Sequence, residues 1–362
     1  MWGGTLLAAF SLYAATITYI PGYLVRNDFR LIYGAALNAW EYGYSHLYDL
    51  AGQRMVVESL GAYWQPYLNP PPLAWLATPF LALPFGAAIV LWTLLIAAAA
   101  VSAWRLAAPG DGVIRAAHLA LFLGLFPTAF GLLVGQPVAL VAAVVAASWW
   151  LAERGRPILA GLVLSLTAIK PQLALLVPLC LLFAGRWRTV GAWFASTAAM
   201  VVVSLFLLGG DGLQRYRDVL ALASQWESTR GFAIAGPLGL GPQVYGVEAI
   251  VVAIAAAAAW RHRRAAIAWL YATGIVASLL FTPYVGFQDF AMLVVAGWFV
   301  IRAGATQFQV ALMVVGYALL ELCLVVLAVP ILLAEALFLV SMLAARPARL
   351  VRAEVRLAAG EG

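Results

Sequence analysis

"GLVLSLTAIKPQLALLVPLCLLFAGRWR", residues 161–188, carries Lys170, the only lysine of the chain, in a stretch with no other charge before Arg186. As one continuous helix, residues 157–184 would reach about 42 Å, too long for a single crossing of about 30 Å of hydrocarbon. Pro171 removes a backbone donor and breaks the run. Two arms of about 20 Å each then fold as a hairpin that raises Lys170 and Gln172 deep into the membrane, facing the outer side. An ammonium at that depth is costly unless it is paired or wet, so it marks a functional site whose expected partner is an anion. The competing reading is a lysine that snorkels or pairs with a structural carboxylate.

The rest of the chain supports a membrane setting. Of 362 residues, 65% are hydrophobic and 10% charged, and the mean hydropathy is +0.96; these values lie far outside the soluble globular range. The expected fold is an all-α polytopic membrane protein. Apolar stretches long enough to cross lie near 2–22, 86–105, 116–133, 137–152, 189–208, 242–260, 265–283, 286–301, 305–327 and 330–345. Residues 70–83, 157–169 and 171–184 are shorter, interrupted by Pro, and read as broken or re-entrant helices. Residues 1–22 read as an uncleaved signal-anchor helix.

Charge placement orients these spans. Fourteen of the 21 basic residues, from Arg105 to Arg356, fall at alternate ends of the spans, which should therefore be cytoplasmic. The polar regions 23–69 and 209–241 hold six arginines against seven acids and belong outside. The chain is thus expected to form a single integral membrane domain over 1–362. Its parts are a first helix (1–22), an outer loop (23–69), a membrane core (70–208), a second outer loop (209–241), C-terminal helices (242–345) and a basic cytoplasmic tail (346–362). Both termini lie inside only if residues 70–83 do not cross fully. A net charge of +6 reflects this orientation, with no basic run interleaved with surface aromatics, so nucleic acid is not an expected partner.

The outer loops carry helical patterns of their own. Leu31, Ile32, Ala35, Ala36 and Trp40 share a face, and seven Tyr and Trp residues lie between positions 33 and 64, the composition of a helix lying at the membrane interface. In the second outer loop Leu213, Tyr216, Leu220 and Ala223 share a face.

Asp28, in "YIPGYLVRNDFRLIYGAA" (19–36), sits at the outer surface at the start of such a helix. An apolar wall would raise the basicity of its carboxylate and let it take a proton from a hydroxyl, whereas Arg26 and Arg30 would lower that basicity while holding an anionic leaving group. The alternative is an acid favoured by the helix dipole. Asp289, beside Gln288 and Tyr284, either answers Lys170 as an ion pair or shapes a polar cavity. Gln136 is a third polar group at an outer helix end. His46, His118 and His262 share no metal-ligand spacing, Cys180 and Cys323 read as packing residues, and "GPLGLGPQVYG" (236–246) follows no strand, so neither a metal site nor a nucleotide fingerprint is expected. Glu248, Glu321 and Glu335 lie in apolar helices without a local partner.

Several stretches taken together resemble one family. "NDFRLIYGAA", "SHLYDL", "YLNPPPLAWLATPFLALP", "GQPVALVAAVVAASWWLAERGRPILAGLVLSLTAIKPQLALLVPLCLLFAGRWR" and "FTPYVGFQDFAML" are similar, in order and spacing over roughly residues 5–300, to glycosyltransferase family 87. These are GT-C-type integral membrane enzymes that include mycobacterial polyprenol-phosphomannose-dependent mannosyltransferases. The resemblance implies a GT-C-like fold of about 10–12 transmembrane helices with re-entrant and interfacial helices in the first outer loop. It implies transfer of a hexose, typically mannose, from a polyprenyl-phosphate sugar to a lipid-linked or cell-surface glycan acceptor, at the outer face of a bacterial-type cytoplasmic membrane. The reaction would invert the anomeric carbon, with Asp28 as general base. Gln136 and Lys170 match the family's positions near the lipid phosphate, and Arg26, Arg30, Gln172, Tyr284, Gln288 and Asp289 complete the expected donor and substrate surface. No cofactor is expected, the polyprenyl-phosphate sugar being a substrate. A lipid-linked sugar flippase or another polytopic transporter is the alternative, since broken helices with a lysine at membrane depth also serve transport.

Overall fold

The computed structural model describes residues 25–225, 230–323 and 328–345, and every regular element among them is helical. The expected first helix (2–22) and the basic tail lie outside the described residues. The outer loop forms α1 (Asn27–Tyr42), α2 (Leu50–Ser59) and, at its end, α3 (Pro71–Ala77). The core then runs through α4 (Phe85–Ala107), α5 (Gly112–Gly124), α6 (Phe126–Val134), α7 (Val138–Glu153), α8 (Pro157–Ser165), α9 (Val177–Phe183) and α10 (Trp187–Ser224). The remainder is α11 (Ala235–Leu238), α12 (Pro242–Arg261), α13 (Ile267–Phe281), α14 (Ala291–Ala303), α15 (Gln307–Glu321) and α16 (Ala328–Ala344).

Three of these helices, α4, α10 and α12, are long and apolar enough to cross a membrane unaided; α5 with α6 forms a bent pair, and α7, α13, α15 and α16 are shorter apolar helices. The fold is that of an all-α polytopic membrane protein. Where a single span over 116–133 was expected, the helix breaks at Leu125 and α5 and α6 meet at 61°. Pro127 in the first turn of α6 supplies no N–H to continue α5. Glu321 explains how the break is stabilised: its Oε2 accepts from the Phe126 N–H at 3.2 Å, satisfying an orphan donor at the start of α6.

Residues 70–83 form only α3 and a 3₁₀ turn, Thr78–Ala82. The seven-residue α3 rises about 10 Å, about a third of the hydrocarbon thickness, so it is too short to cross by itself. The 157–184 stretch breaks as Pro171 dictates. α8 runs into a 3₁₀ turn, Leu166–Ile169, a second 3₁₀ turn covers Pro171–Leu173, and Lys170 between them has φ −154° and ψ 74°. α10 passes through a kink at Gly209, whose φ of 60° and ψ of −169° lie outside helical values. Its outer part continues as the amphipathic segment read from the second loop.

α1 forms as its spacing predicts, but its stripe is covered by protein. Leu31, Ile32, Ala35 and Ala36 are buried against neighbouring helices, whereas Trp40 is 67% exposed. The first loop is held by its own polar side chains. The Asn27 amide exchanges two hydrogen bonds with the Tyr63 backbone (3.1 and 2.8 Å), and Gln53 accepts from Tyr67 N–H (3.0 Å) while donating to Leu47 C=O (2.7 Å). Arg215 on the outer part of α10 donates to Ser45 C=O at 2.7 Å, joining the two outer regions. At the ends assigned to the cytoplasm, Arg154, Arg263, Arg302 and Arg115 lie over the rings of Trp150, Trp260, Trp149 and Trp104. Guanidinium groups on Trp faces suit an interfacial belt.

Candidate active site

α1 meets the break between α6 and α7 at Gly135. This residue has φ +86°, in the left-handed region that favours glycine, and a Cβ placed on it would lie 2.9 Å from Phe29 Cβ. Phe29 stacks on Trp92 (centroids 5.0 Å apart), and Trp92 Nε1 donates to Gly135 C=O at 2.8 Å. Arg26 completes the junction. Its backbone N–H donates to Leu133 C=O (3.0 Å) and its guanidinium to the carbonyls of Leu132 and Leu133 (2.5 and 2.6 Å), which are orphan acceptors at the C-terminus of α6. This fastening sets Asp28 beside Gln136.

The result is a hydrogen-bonded chain across four parts of the sequence. Gln136 Nε2 donates to Asp28 Oδ2. Its Oε1 accepts from Lys170 Nζ at 3.0 Å, and Lys170 Nζ pairs with Asp289 Oδ1 at 2.5 Å. Asp289 Oδ2 accepts in turn from Gly286 N–H at 3.2 Å, closing the turn that carries it. Lys170 is 2% and Asp289 0% exposed. Of the two readings of Asp289, the ion pair is the one observed. Such a pair is tolerable at this burial because both members have a further partner, Gln136 for the ammonium and the Gly286 N–H for the carboxylate.

The chain opens on a cavity of about 690 Å³. Asp28, Gln136, Lys170, Gln172, Tyr284 and Gln288 line it, while Asp289 stands behind Lys170. Arg26 and Arg30 do not. Both had been expected at an anionic leaving group, but the Arg26 side chain is spent on α6 and Arg30 donates to Val25 C=O at 2.9 Å. From α1 the cavity is lined by Asn27, Asp28, Leu31 and Ile32. The opposition foreseen between burial and two guanidinium groups is thereby decided. Burial pushes the Asp28 carboxyl up to about 6, against the Gln136 hydrogen bond and the Lys170 charge, which lower it; the Asp289 charge adds to the rise.

The remaining wall divides by chemistry. Phe130, Val134, Phe232, Leu240 and Phe287 make it apolar on one part, and Tyr67, Asn69, Tyr216 and Gln65 add aromatic and amide groups. Tyr67 and Tyr216 flank Tyr48, with ring centroids 5.9 and 4.2 Å away. Tyr216, Leu220 and Ala223, three members of the face read from the second outer loop, all border the cavity. Arg230 borders it too. Sequence reading counted Arg230 only toward charge balance, since a lone arginine in a loop carries no motif.

No curated protein and no solved structure matches the chain. The family model for glycosyltransferase family 87 matches residues 67–283, a span that takes in Gln136, Lys170, Gln172 and most of the cavity wall, with Asp289 six residues past its end and Asp28 well before its start. With more than half of the chain matched, the transporter reading is set aside: the chain belongs to glycosyltransferase family 87 and is a membrane glycosyltransferase.

Proposed function

We propose that the protein transfers a hexose, mannose by family resemblance, from a polyprenyl-phosphate sugar to a hydroxyl of a lipid-linked or surface glycan, at the outer face of a cytoplasmic membrane. The observation that carries this reading is the chain Asp28–Gln136–Lys170, backed by Asp289, on the wall of a cavity whose other surfaces combine apolar, aromatic and amide groups. Asp28 removes the acceptor proton as the hydroxyl oxygen attacks the anomeric carbon. The bond from that carbon to the phosphate oxygen breaks, its electron pair leaves with the polyprenyl phosphate, and the configuration inverts. Gln136 presents its amide N–H to one carboxylate oxygen, and Lys170 fixes which way that amide points. The apolar walls suit a polyprenyl chain, and the Tyr and amide groups suit sugar hydroxyls.

The direct test is incubation of the purified protein with labelled polyprenyl phosphomannose and a membrane-lipid extract, across a range of pH. Label is expected in a lipid or glycan product. Because the base must be ionised, kcat/KM should fall as pH drops through about 6, tenfold per unit at the steepest. No transfer at any pH overturns the reading, and a flat profile removes Asp28 as the base.

Gly135→Ala tests the positioning of that base. The new Cβ would meet Phe29 and force an unfavourable backbone conformation. Displacing α1 by about 1 Å is expected to cost about 10²-fold in transfer, with donor binding retained. Unchanged turnover would show that the α1 junction does not set the site.

A further inference from the structure

Lys170 and Arg230 are the two cations among the residues that line the cavity. Lys170 is already neutralised by Asp289 and gives a further N–H to Gln136. With its charge balanced and two of its three N–H groups engaged, it has one N–H and little net charge left to offer a substrate anion. Arg230 has no such engagement, for it joins neither ion pair found among the described residues. Its segment is nonetheless anchored. Phe232 meets Phe287 and Phe290 edge-to-face, with centroids 6.1 and 5.9 Å away, so it rests on both sides of Asp289. Ala233 N–H donates to Arg230 C=O at 2.9 Å, closing the turn.

We propose that Arg230, and not Lys170, holds the phosphate of the lipid-linked donor. The assignment rests on the polyprenyl-phosphate reading above and adds the residue that recognises the anion. A sugar phosphodiester carries one negative charge, and among the described residues the cavity offers one cation outside any ion pair, with Phe130, Phe232 and Phe287 in the apolar part of the same wall. A guanidinium presents two parallel N–H groups to two phosphate oxygens, which an ammonium cannot do. When the glycosidic bond breaks, the leaving phosphate gains a second charge against the same group.

Binding of a polyprenyl monophosphate and of the matching uncharged polyprenol to the full chain in nanodiscs separates the alternatives. The wild type should prefer the phosphate by about ten- to hundredfold. Arg230→Gln should abolish that preference while leaving polyprenol affinity unchanged, and Arg230→Lys should retain part of it. The unchanged polyprenol affinity also shows that the variant is folded. If Arg230→Gln keeps the full preference, the assignment is overturned while the donor reading stands. If the wild type itself shows no preference, the lipid-phosphate reading falls with it.

Discussion

Asp28→Asn is expected to lower the rate of sugar transfer by about 10²–10⁴-fold without loosening the donor. Asparagine has the same shape, and its carbonyl oxygen can still accept from Gln136 Nε2, the contact that Asp28 makes. What it lacks is a lone pair basic enough to take the acceptor proton. The loss should therefore appear in kcat, and binding of a polyprenyl monophosphate should match the wild type, because the proposed phosphate contact lies elsewhere, at Arg230. A steady-state assay in proteoliposomes together with a binding isotherm measures both. Full activity in the variant would remove Asp28 from the chemistry. Glutamate at the same position is a sharper probe: it keeps the base but lengthens the arm by one methylene, so a partial rate with an altered pH limb is expected.

The second large effect concerns the pair behind the base. Asp289→Ala leaves the Lys170 ammonium, 2% exposed, with only the Gln136 oxygen as partner. Removing one member of a buried pair typically costs about 3–5 kcal/mol, because the surviving charge is neither solvated nor compensated. The same change releases the Gly286 N–H and loosens the turn that supports Phe287 and Phe290. A lowered midpoint of thermal unfolding in detergent is expected, together with lost transfer. Replacing both residues, Lys170→Met with Asp289→Leu, should restore most of the stability, since two matched apolar side chains leave no orphan charge. It should not restore activity, because Gln136 would lose the ammonium that orients its amide. A double variant as unstable as the single one would show that the pair is not the source of the effect.

These experiments separate two roles that sequence reading had merged. A lysine at membrane depth called for an anion, and both a substrate phosphate and a structural carboxylate met that demand. Their difference lies in one distance, 2.5 Å from Nζ to Asp289. In the same way, Arg26 and Arg30 looked equivalent to any other cation near Asp28. Arg26 is instead a clamp between α1 and α6.

What the sequence alone determined is local. Apolar runs marked the helices, Pro171 marked the break that strands Lys170 outside helical geometry, and the spacing of Tyr216, Leu220 and Ala223 marked the face that borders the cavity. Each follows from steric and hydrogen-bonding rules acting within about ten residues. At Leu125, Pro127 is a local signal for the bend, but the carboxylate that caps the new helix, Glu321, lies 195 positions away. The site was legible as a set of candidates, Asp28, Gln136, Lys170 and Asp289, and not as a chain. Gln136 meets Asp28 across 108 positions and Lys170 meets Asp289 across 119. Contacts at that separation exist only once helices pack, and packing is decided by the fit of side chains such as Phe29 against Gly135, not by any pattern a local stretch can carry. Only the tertiary structure could therefore decide which cation was already neutralised and which, at Arg230, joins no ion pair among the described residues that border the cavity.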